Sequence, residues 1–167
     1  CQVCHRESEE TLRESVYERQ AKGLEIRDLV EKELAAAHIE AKFAWDQGAS
    51  EAQMADVLQL LRQSQWRWDY AVASHGASFH APVEFQRLLS QSLDRAHKAR
   101  FAIAKLLPQL GYIGDVPMPD ISTKEKAQKY IGLDIEKEEA DKKQWLETVV
   151  PQWLETAKKN ERLVSRR

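Results

Sequence analysis

The stretch VEFQRLLSQSLDRAHKARFAIAKLLPQL, residues 83–110, places apolar or small residues alternately four and three positions apart. This seven-residue rhythm is typical of a helix that packs one face against another helix. The positions are Phe85, Leu89, Ser92, Ala96, Ala99, Ile103, Leu106 and Leu110. A long helix is therefore predicted over about 83–110. Pro108 should bend its last turn or end it early, because proline lacks an amide donor.

Two stretches before this helix predict partners for it. Residues 7–47 contain no proline and a single glycine, and their apolar stripe predicts a long amphipathic helix. Ser50 and Gln53 form a capping box, in which each side chain satisfies a free backbone donor. A second helix is therefore predicted from near Glu51 to His75–Gly76.

The C-terminal third predicts shorter elements. Residues 111–120 are rich in glycine and proline and indicate a surface connector. Ser122 and Glu125 resemble a second capping box, which predicts a short helix to about Ile131. A last helix is predicted from about Ile135. It presents Trp145, Val149 and Trp153, with Pro151 as a kink.

The composition is that of an ordinary globular protein, with 43% hydrophobic and 31% charged residues among 167. The net charge of -2 and the lack of a dense basic stretch give no electrostatic support to binding of a phosphate backbone, so no nucleic-acid partner is expected. No apolar run approaches the roughly 18 residues of a membrane-crossing helix, so no transmembrane segment is expected.

The chain begins with Cys1-Gln2-Val3-Cys4-His5, which contains both of its cysteines. This spacing lets both thiols add to the vinyl groups of a haem while the imidazole lies beneath the iron. It predicts haem c attached to Cys1 and Cys4, with His5 as proximal ligand. The alternative is a tight turn with two free thiols. A chain that begins on a haem cysteine is expected to be a section whose N-terminal part is missing.

These patterns predict an all-α fold of long antiparallel helices with an N-terminal c-type haem attachment site. One helical unit is predicted over 1–167. Its parts are the haem motif (1–5), the long helices (6–111), a connector (112–122), terminal helices (123–160) and a tail (161–167). The apolar stripes exceed what 167 residues can easily bury, so a partner is expected.

A haem that only transfers electrons usually needs a second axial ligand. The candidates are His38, His75, His80, His97, Met54 and Met118. Packing is the commoner role for both methionines, His97 is expected to be solvated, and His38 is expected to be hydrogen-bonded in a helix interface.

His80 is the preferred second ligand. Ala81 precedes Pro82, which biases its backbone towards an extended conformation and should hold the His80 side chain clear of the next helix. The alternative is a buried, hydrogen-bonded loop histidine. Spacing leaves open which iron His80 serves.

Several segments, in this order and spacing, resemble the C-terminal part of the pentahaem cytochrome c nitrite reductases that form ammonia. They are CQVCH (1–5), AHIEAKFAWDQGAS (37–50), QWRWDYAVASHGASFHAP (65–82), PDISTKEKAQKYIGL (119–133) and VVPQW (149–153). The resemblance implies that Cys1 and Cys4 hold the fifth haem, with His5 as its proximal ligand. It also implies that His80 is the distal ligand of the iron of a neighbouring haem, attached before Cys1.

The resemblance implies that the chain is the C-terminal section of a larger multihaem cytochrome c. This section would serve electron transfer and dimerisation in a periplasmic enzyme that reduces nitrite to ammonia with six electrons. The family's catalytic haem on a CxxCK motif, its active-site residues and its calcium site would lie outside this segment, so no catalytic residue is assigned here. The implied partners are the missing N-terminal part, a second copy bound through the long helices, and a quinol-oxidising or cytochrome electron donor.

Two rival hypotheses stay open on sequence grounds. The chain could be a stand-alone monohaem c-type electron carrier, with His5 and His80 on one iron. It could also be a purely structural helical module that carries no haem. A count of covalent haems per chain separates these possibilities.

Overall fold

The computed structural model describes residues 3–160, and this part of the chain is helical, with no β-strand. The predicted all-α fold is confirmed. The helices are α1 (Glu9–Asp46), α2 (Glu51–Ala73), α3 (Ala77–His80), α4 (Pro82–Leu106), α5 (Lys124–Tyr130) and α6 (Ile135–Lys159), with a 3₁₀ turn over Leu107–Leu110 after α4. None of the helices between Val3 and Asn160 combines the length and hydropathy of a membrane span.

The chain divides into two compact units, with the boundary between Met118 and Pro119. The first unit contains α1 to α4, and the second contains α5 and α6. This arrangement differs from the single helical unit over 1–167 that the sequence predicts. The difference arises at the connector, which links the units but contains no helix of its own after the 3₁₀ turn.

The ends of α1 and α2 follow from local hydrogen bonds. Ser8 caps α1, since its hydroxyl accepts the Thr11 amide at 3.2 Å. The predicted capping box of α2 is confirmed, because the Ser50 hydroxyl accepts the Gln53 amide at 3.4 Å and the Gln53 side chain accepts the Ser50 amide at 2.9 Å. Gly48, with φ of 89°, makes the turn between the two helices.

The core of the first unit forms where α4 packs against α1 and α2. Seven of the eight positions of the predicted stripe are buried, and Leu110 is half-buried. The seam of α4 therefore finds its partner helices within this chain. Ser64 and Ser92 meet at the contact between α2 and α4, where each hydroxyl donates to the other residue's carbonyl oxygen at 2.8 Å. These bonds satisfy the polar groups that the close contact buries.

Two predicted boundaries need correction. The stretch between α2 and α4, predicted as a loop, contains the single helical turn α3. The short helix α5 is capped by Thr123, whose hydroxyl accepts the Lys126 amide at 3.3 Å, and not by Ser122. Asp120 accepts the Ser122 amide at 3.0 Å, which holds Ser122 in the preceding turn and moves the helix start by one residue.

Asp120 also binds the Lys126 ammonium at 2.5 Å. This hydrogen bond, followed by those from Ser122, lowers the pKa of the Asp120 carboxyl to about 2. The carboxylate therefore keeps the start of α5 bound to the connector at neutral pH. Its contribution is lost only as the pH falls below the pKa of an unperturbed aspartate and towards 2.

Candidate haem site

A cleft of about 130 Å³ lies between the N-terminal segment, the first turns of α1 and the helix α3. Its lining residues are His5, Leu12, Ser15, Val16, Arg19, Phe79 and His80. The fold thus brings together the two histidines that the sequence predicts as iron ligands, although 74 other positions separate them in the chain.

The N-terminal side of the cleft carries the attachment motif. The Cys4 side chain is exposed and makes no disulfide, so its thiol is accessible for reaction. His5 is also exposed, and its Nδ1 atom lies 3.7 Å from Oε2 of Glu7. This separation is longer than a hydrogen bond, so Glu7 places a negative charge near the ring without fixing its orientation. Cys1, the other predicted attachment residue, lies outside the described residues.

One wall of the cleft is a face of α1. Leu12, Val16 and Arg19 follow at spacings of four and three, which places them in one row on the helix. Leu12 and Val16 supply apolar surface, and Arg19 supplies a guanidinium at the end of the row. This periodicity is visible in the sequence, but nothing in the sequence indicates which surface the row faces.

The opposite wall is formed by Phe79 and His80 at the end of α3. The His80 amide donates to the Gly76 carbonyl at 3.0 Å, and the ring centroids of Phe79 and His80 lie 4.6 Å apart. His80 is exposed, so the alternative of a buried loop histidine is wrong. The next residue, Ala81, has φ of -136° and ψ of 56°, so it is not helical and separates α3 from α4, but it does not adopt the extended conformation that was expected before Pro82.

The remaining ligand candidates lie away from this cleft. Met54 is fully buried in the core, which confirms its expected packing role, whereas Met118 is exposed. His97 is exposed as predicted, with its Nε2 atom 3.3 Å from Oε2 of Glu33. His38 is exposed on α1, so the prediction that it sits in a helix interface is wrong. His75 is exposed and lines a different cleft, with Gly23 and Phe85.

An ion-pair network lies farther along α1 and α4, and the sequence analysis missed it. Arg100 donates to Glu40 at 2.7 Å and to Glu33 at 2.6 Å, beside a wide cleft of about 770 Å³. The hydrogen bonds to Glu40 are the main cause that raises the pKa of Arg100 above its ordinary value. The sequence shows that Arg100 lies beside the apolar stripe of α4, but this is only a weak signal of the network. The partners of Arg100 lie 60 or more residues away in the chain, so their pairing cannot be read from local spacing.

The residues around the smaller cleft fit a covalently attached haem. An accessible thiol and an imidazole follow each other in the chain, and a second imidazole and apolar side chains line the same cleft as the first imidazole. Thiols and imidazoles are the protein groups that attach haem c and ligate its iron. Among residues 3–160, no group of three or more histidine, cysteine, aspartate or glutamate side chains is placed to hold a bare metal ion.

A helical protein with this motif and cleft has the features of a c-type cytochrome. Among known families, the model described as cytochrome c552 matches residues 1–162 of this chain. The chain therefore belongs to the cytochrome c552 family. It is accordingly an electron-transfer haem protein, and haem c is its cofactor.

Curated relatives of this chain bear the name cytochrome c-552. One from Bacteroides fragilis is 66% identical over 163 residues, covering 98% of this chain and 33% of the relative. Another from Bacteroides thetaiotaomicron is 66% identical over 166 residues, covering 99% and 34%. A third from Porphyromonas gingivalis is 61% identical over 158 residues, covering 95% and 32%. The chain thus spans about a third of the length of these relatives.

These matches correct the family assignment drawn from the sequence segments. Both the family description and the names of the relatives are cytochrome c552, and neither names a nitrite reductase. Membership of the cytochrome c552 family therefore replaces membership of the pentahaem nitrite reductases.

Proposed function

We propose that this chain is the electron-transfer section of a larger c-type cytochrome. In this proposal Cys1 and Cys4 attach one haem c, His5 is the proximal ligand of its iron, and His80 is the distal ligand of a neighbouring haem. The observation that carries the proposal is the shared cleft of His5 and His80, since two ligands on one cleft would hold two haems close together. Rapid electron transfer between two haems requires that they lie close together. When bound, the haem supplies an iron that gains and loses one electron.

The length of the relatives supports the presence of further haems. Because the chain covers about a third of each relative, there is room for additional attachment motifs in a complete protein. The first test is the intact mass of the denatured natural protein together with its pyridine haemochrome spectrum. Several covalent haems on a chain far heavier than this sequence would support the proposal.

A second candidate function is a monohaem electron carrier with His5 and His80 on one iron. The shared cleft favours it too, because both imidazoles line the same space. One covalent haem on a chain of 19.3 kDa plus haem would favour this carrier. No covalent haem at all would contradict both functions and leave a structural helical module.

The role of His80 can be tested by His80→Ala in the holoprotein. We expect the substitution to remove a low-spin ligand from one haem and to leave the covalent haem stoichiometry unchanged, because His80 is not part of the attachment motif. Electron paramagnetic resonance at low temperature reports the spin state.

His38→Ala is the matched control, because His38 is also an exposed helical histidine but lies outside the cleft. An unchanged low-spin signal in His80→Ala would show that His80 is not a ligand. In a multihaem protein only part of the low-spin signal should be lost, whereas in a monohaem carrier the whole signal should be lost.

For a complete protein containing this chain we further propose reduction of nitrite to ammonia. The support is the resemblance of the segments quoted above, 37–50, 65–82 and 119–133, to proteins of that activity. In this proposal the complete protein is a periplasmic homodimer that associates through its long helices, and a quinol-oxidising or cytochrome donor reduces it. Its catalytic haem and calcium ion would be bound outside this chain.

The test is nitrite-dependent oxidation of a reduced viologen dye by the purified natural protein, with ammonia measured as product. Oxidation of the dye without ammonia, or no oxidation, would contradict this activity. Neither result would affect the proposed electron-transfer role, which depends on the haem count and on His80.

A further inference from the structure

Arg19 links the two walls of the haem cleft. Its Nη1 atom donates to the carbonyl oxygen of Phe79 at 3.2 Å, across 60 residues of sequence. Phe79 directly precedes His80 and its ring contacts the His80 ring. Because a peptide unit is planar, fixing the Phe79 carbonyl also fixes the orientation of the His80 amide.

The helix that carries His80 has little support of its own. It consists of four residues, no side chain caps its N-terminus, and the non-helical residue Ala81 ends it. A single helical turn is marginal by itself, because nucleation fixes several residues for few hydrogen bonds. The hydrogen bond from Arg19 joins this turn to the 38-residue helix α1. The position of His80 therefore depends on a contact with a longer element.

We propose that Arg19 is a positioning residue that holds His80 for axial ligation, acting through the carbonyl of Phe79, and that its charge raises the reduction potential of the iron. This inference rests on the proposed ligand role of His80. A guanidinium has five N–H donors in a fixed plane, so the bond to Phe79 leaves others facing the cleft. A positive charge beside the iron favours its reduced, less positive state.

The experiment compares holoprotein variants Arg19→Gln, Arg19→Lys, Arg13→Gln and His80→Ala. Arg13 is the matched control, because it is an exposed arginine of α1 that does not line the cleft. The first readout is the rate at which carbon monoxide binds the reduced haem that His80 ligates, since the histidine must leave the iron before carbon monoxide binds. The second readout is the midpoint potential of that haem.

We expect Arg19→Gln to accelerate carbon monoxide binding about tenfold, which corresponds to one lost hydrogen bond from a charged donor. We also expect its midpoint potential to fall. Arg19→Lys should keep the potential, because it keeps the charge, and should accelerate binding by a smaller factor. Arg13→Gln should match the natural protein in both readouts, and the haem stoichiometry should be unchanged throughout.

A rate for Arg19→Gln equal to that of Arg13→Gln would overturn the positioning role, provided that His80→Ala binds carbon monoxide fast. If His80→Ala is as slow as the natural protein, His80 is not a ligand, and both the proposed ligand role and this inference fail. If Arg19→Gln does not accumulate with haem, the test depends on Arg19→Lys. An unchanged rate of carbon monoxide binding in that variant would equally overturn the positioning role.

Discussion

Gly23 on α1 shows how one missing side chain shapes the packing of α1 against α4. A Cβ atom added at this position would lie 2.8 Å from Cε1 of Phe85 on α4. Phe85 is buried with Val30, Ala71 and Leu89, so its ring has little space to move away. The glycine therefore lets α1 approach the start of α4 closely. The contact is at Phe85, three residues after Pro82.

We expect Gly23→Ala to destabilise the fold by about 1 kcal/mol, although alanine is the better helix former. The gain in helix propensity is about 1 kcal/mol, and overpacking of a buried ring costs about 2 kcal/mol. Urea unfolding of the holoprotein followed by circular dichroism measures the difference.

The control for this prediction is the same substitution in a Phe85→Leu background, which removes the ring. There Gly23→Ala should be neutral or stabilising, because only the propensity term remains. A stabilising effect in the natural background would show that the ring moves away without cost.

At the scale of the elements, the pair α1 and α4 is joined by charge as well as by apolar packing. Arg100 on α4 binds Glu40 and Glu33 on α1, and the Glu40 side chain is only 11% exposed. The Nε and Nη2 atoms of Arg100 donate to Oε2 and Oε1 of Glu40 at 3.0 and 2.7 Å, which is the bidentate geometry of a guanidinium–carboxylate pair. The network therefore fixes how the two helices pair next to the apolar seam.

We expect Arg100→Met to destabilise the fold by about 2 kcal/mol, because it leaves the nearly buried Glu40 without its charge partner. The figure lies below the roughly 3–5 kcal/mol of a fully buried pair, because the Arg100 side chain is 34% exposed. The urea midpoint of the holoprotein measures the change.

Adding Glu40→Gln to Arg100→Met should recover part of the loss, because an amide is less costly to bury than an unpaired carboxylate. Arg87→Met serves as the control, since Arg87 pairs within its own helix with the exposed Glu84. Equal midpoints for Arg100→Met and Arg87→Met would contradict the structural role of the network.

At the scale of the whole molecule, the two compact units differ in how much they bury. The first contains every residue that the structure classes as buried among residues 3–160, and α5 and α6 contain none. Trp145 and Trp153 of α6 contact each other at 5.5 Å but are 42% and 61% exposed. Internal packing of the second unit therefore buries little apolar surface.

We expect a peptide of residues 119–160 to be much less helical in water than the same residues are in the structure. Its ordering entropy is not offset by a buried core, and Pro151 interrupts the hydrogen bonds of α6. Far-UV circular dichroism of the peptide measures its helix content. Helicity as high as in the structure would show that local propensity alone maintains the second unit.

The sequence by itself determined the long helices and led to the prediction of haem chemistry near its start. Hydrophobic periodicity predicted α1, α2, α4 and α6, because the pattern of a helix face is local and repeats every turn. The motif at residues 1–5 predicted covalent haem, because its reactive groups are adjacent in the chain. The same local reasoning failed at Ser122, where a turn formed by Asp120 competes for the helix start.

Only the tertiary structure decided which distant residues share a surface. The cleft of His5 and His80, the bond from Arg19 to Phe79 and the exposure of His38 all depend on how α1 meets α3 and α4. No periodic pattern contains this information, because a helix stripe shows which residues face inward but not what they face. The contacts arise when burial of the α4 seam against α1 and α2 places segments about 60 or more residues apart next to each other.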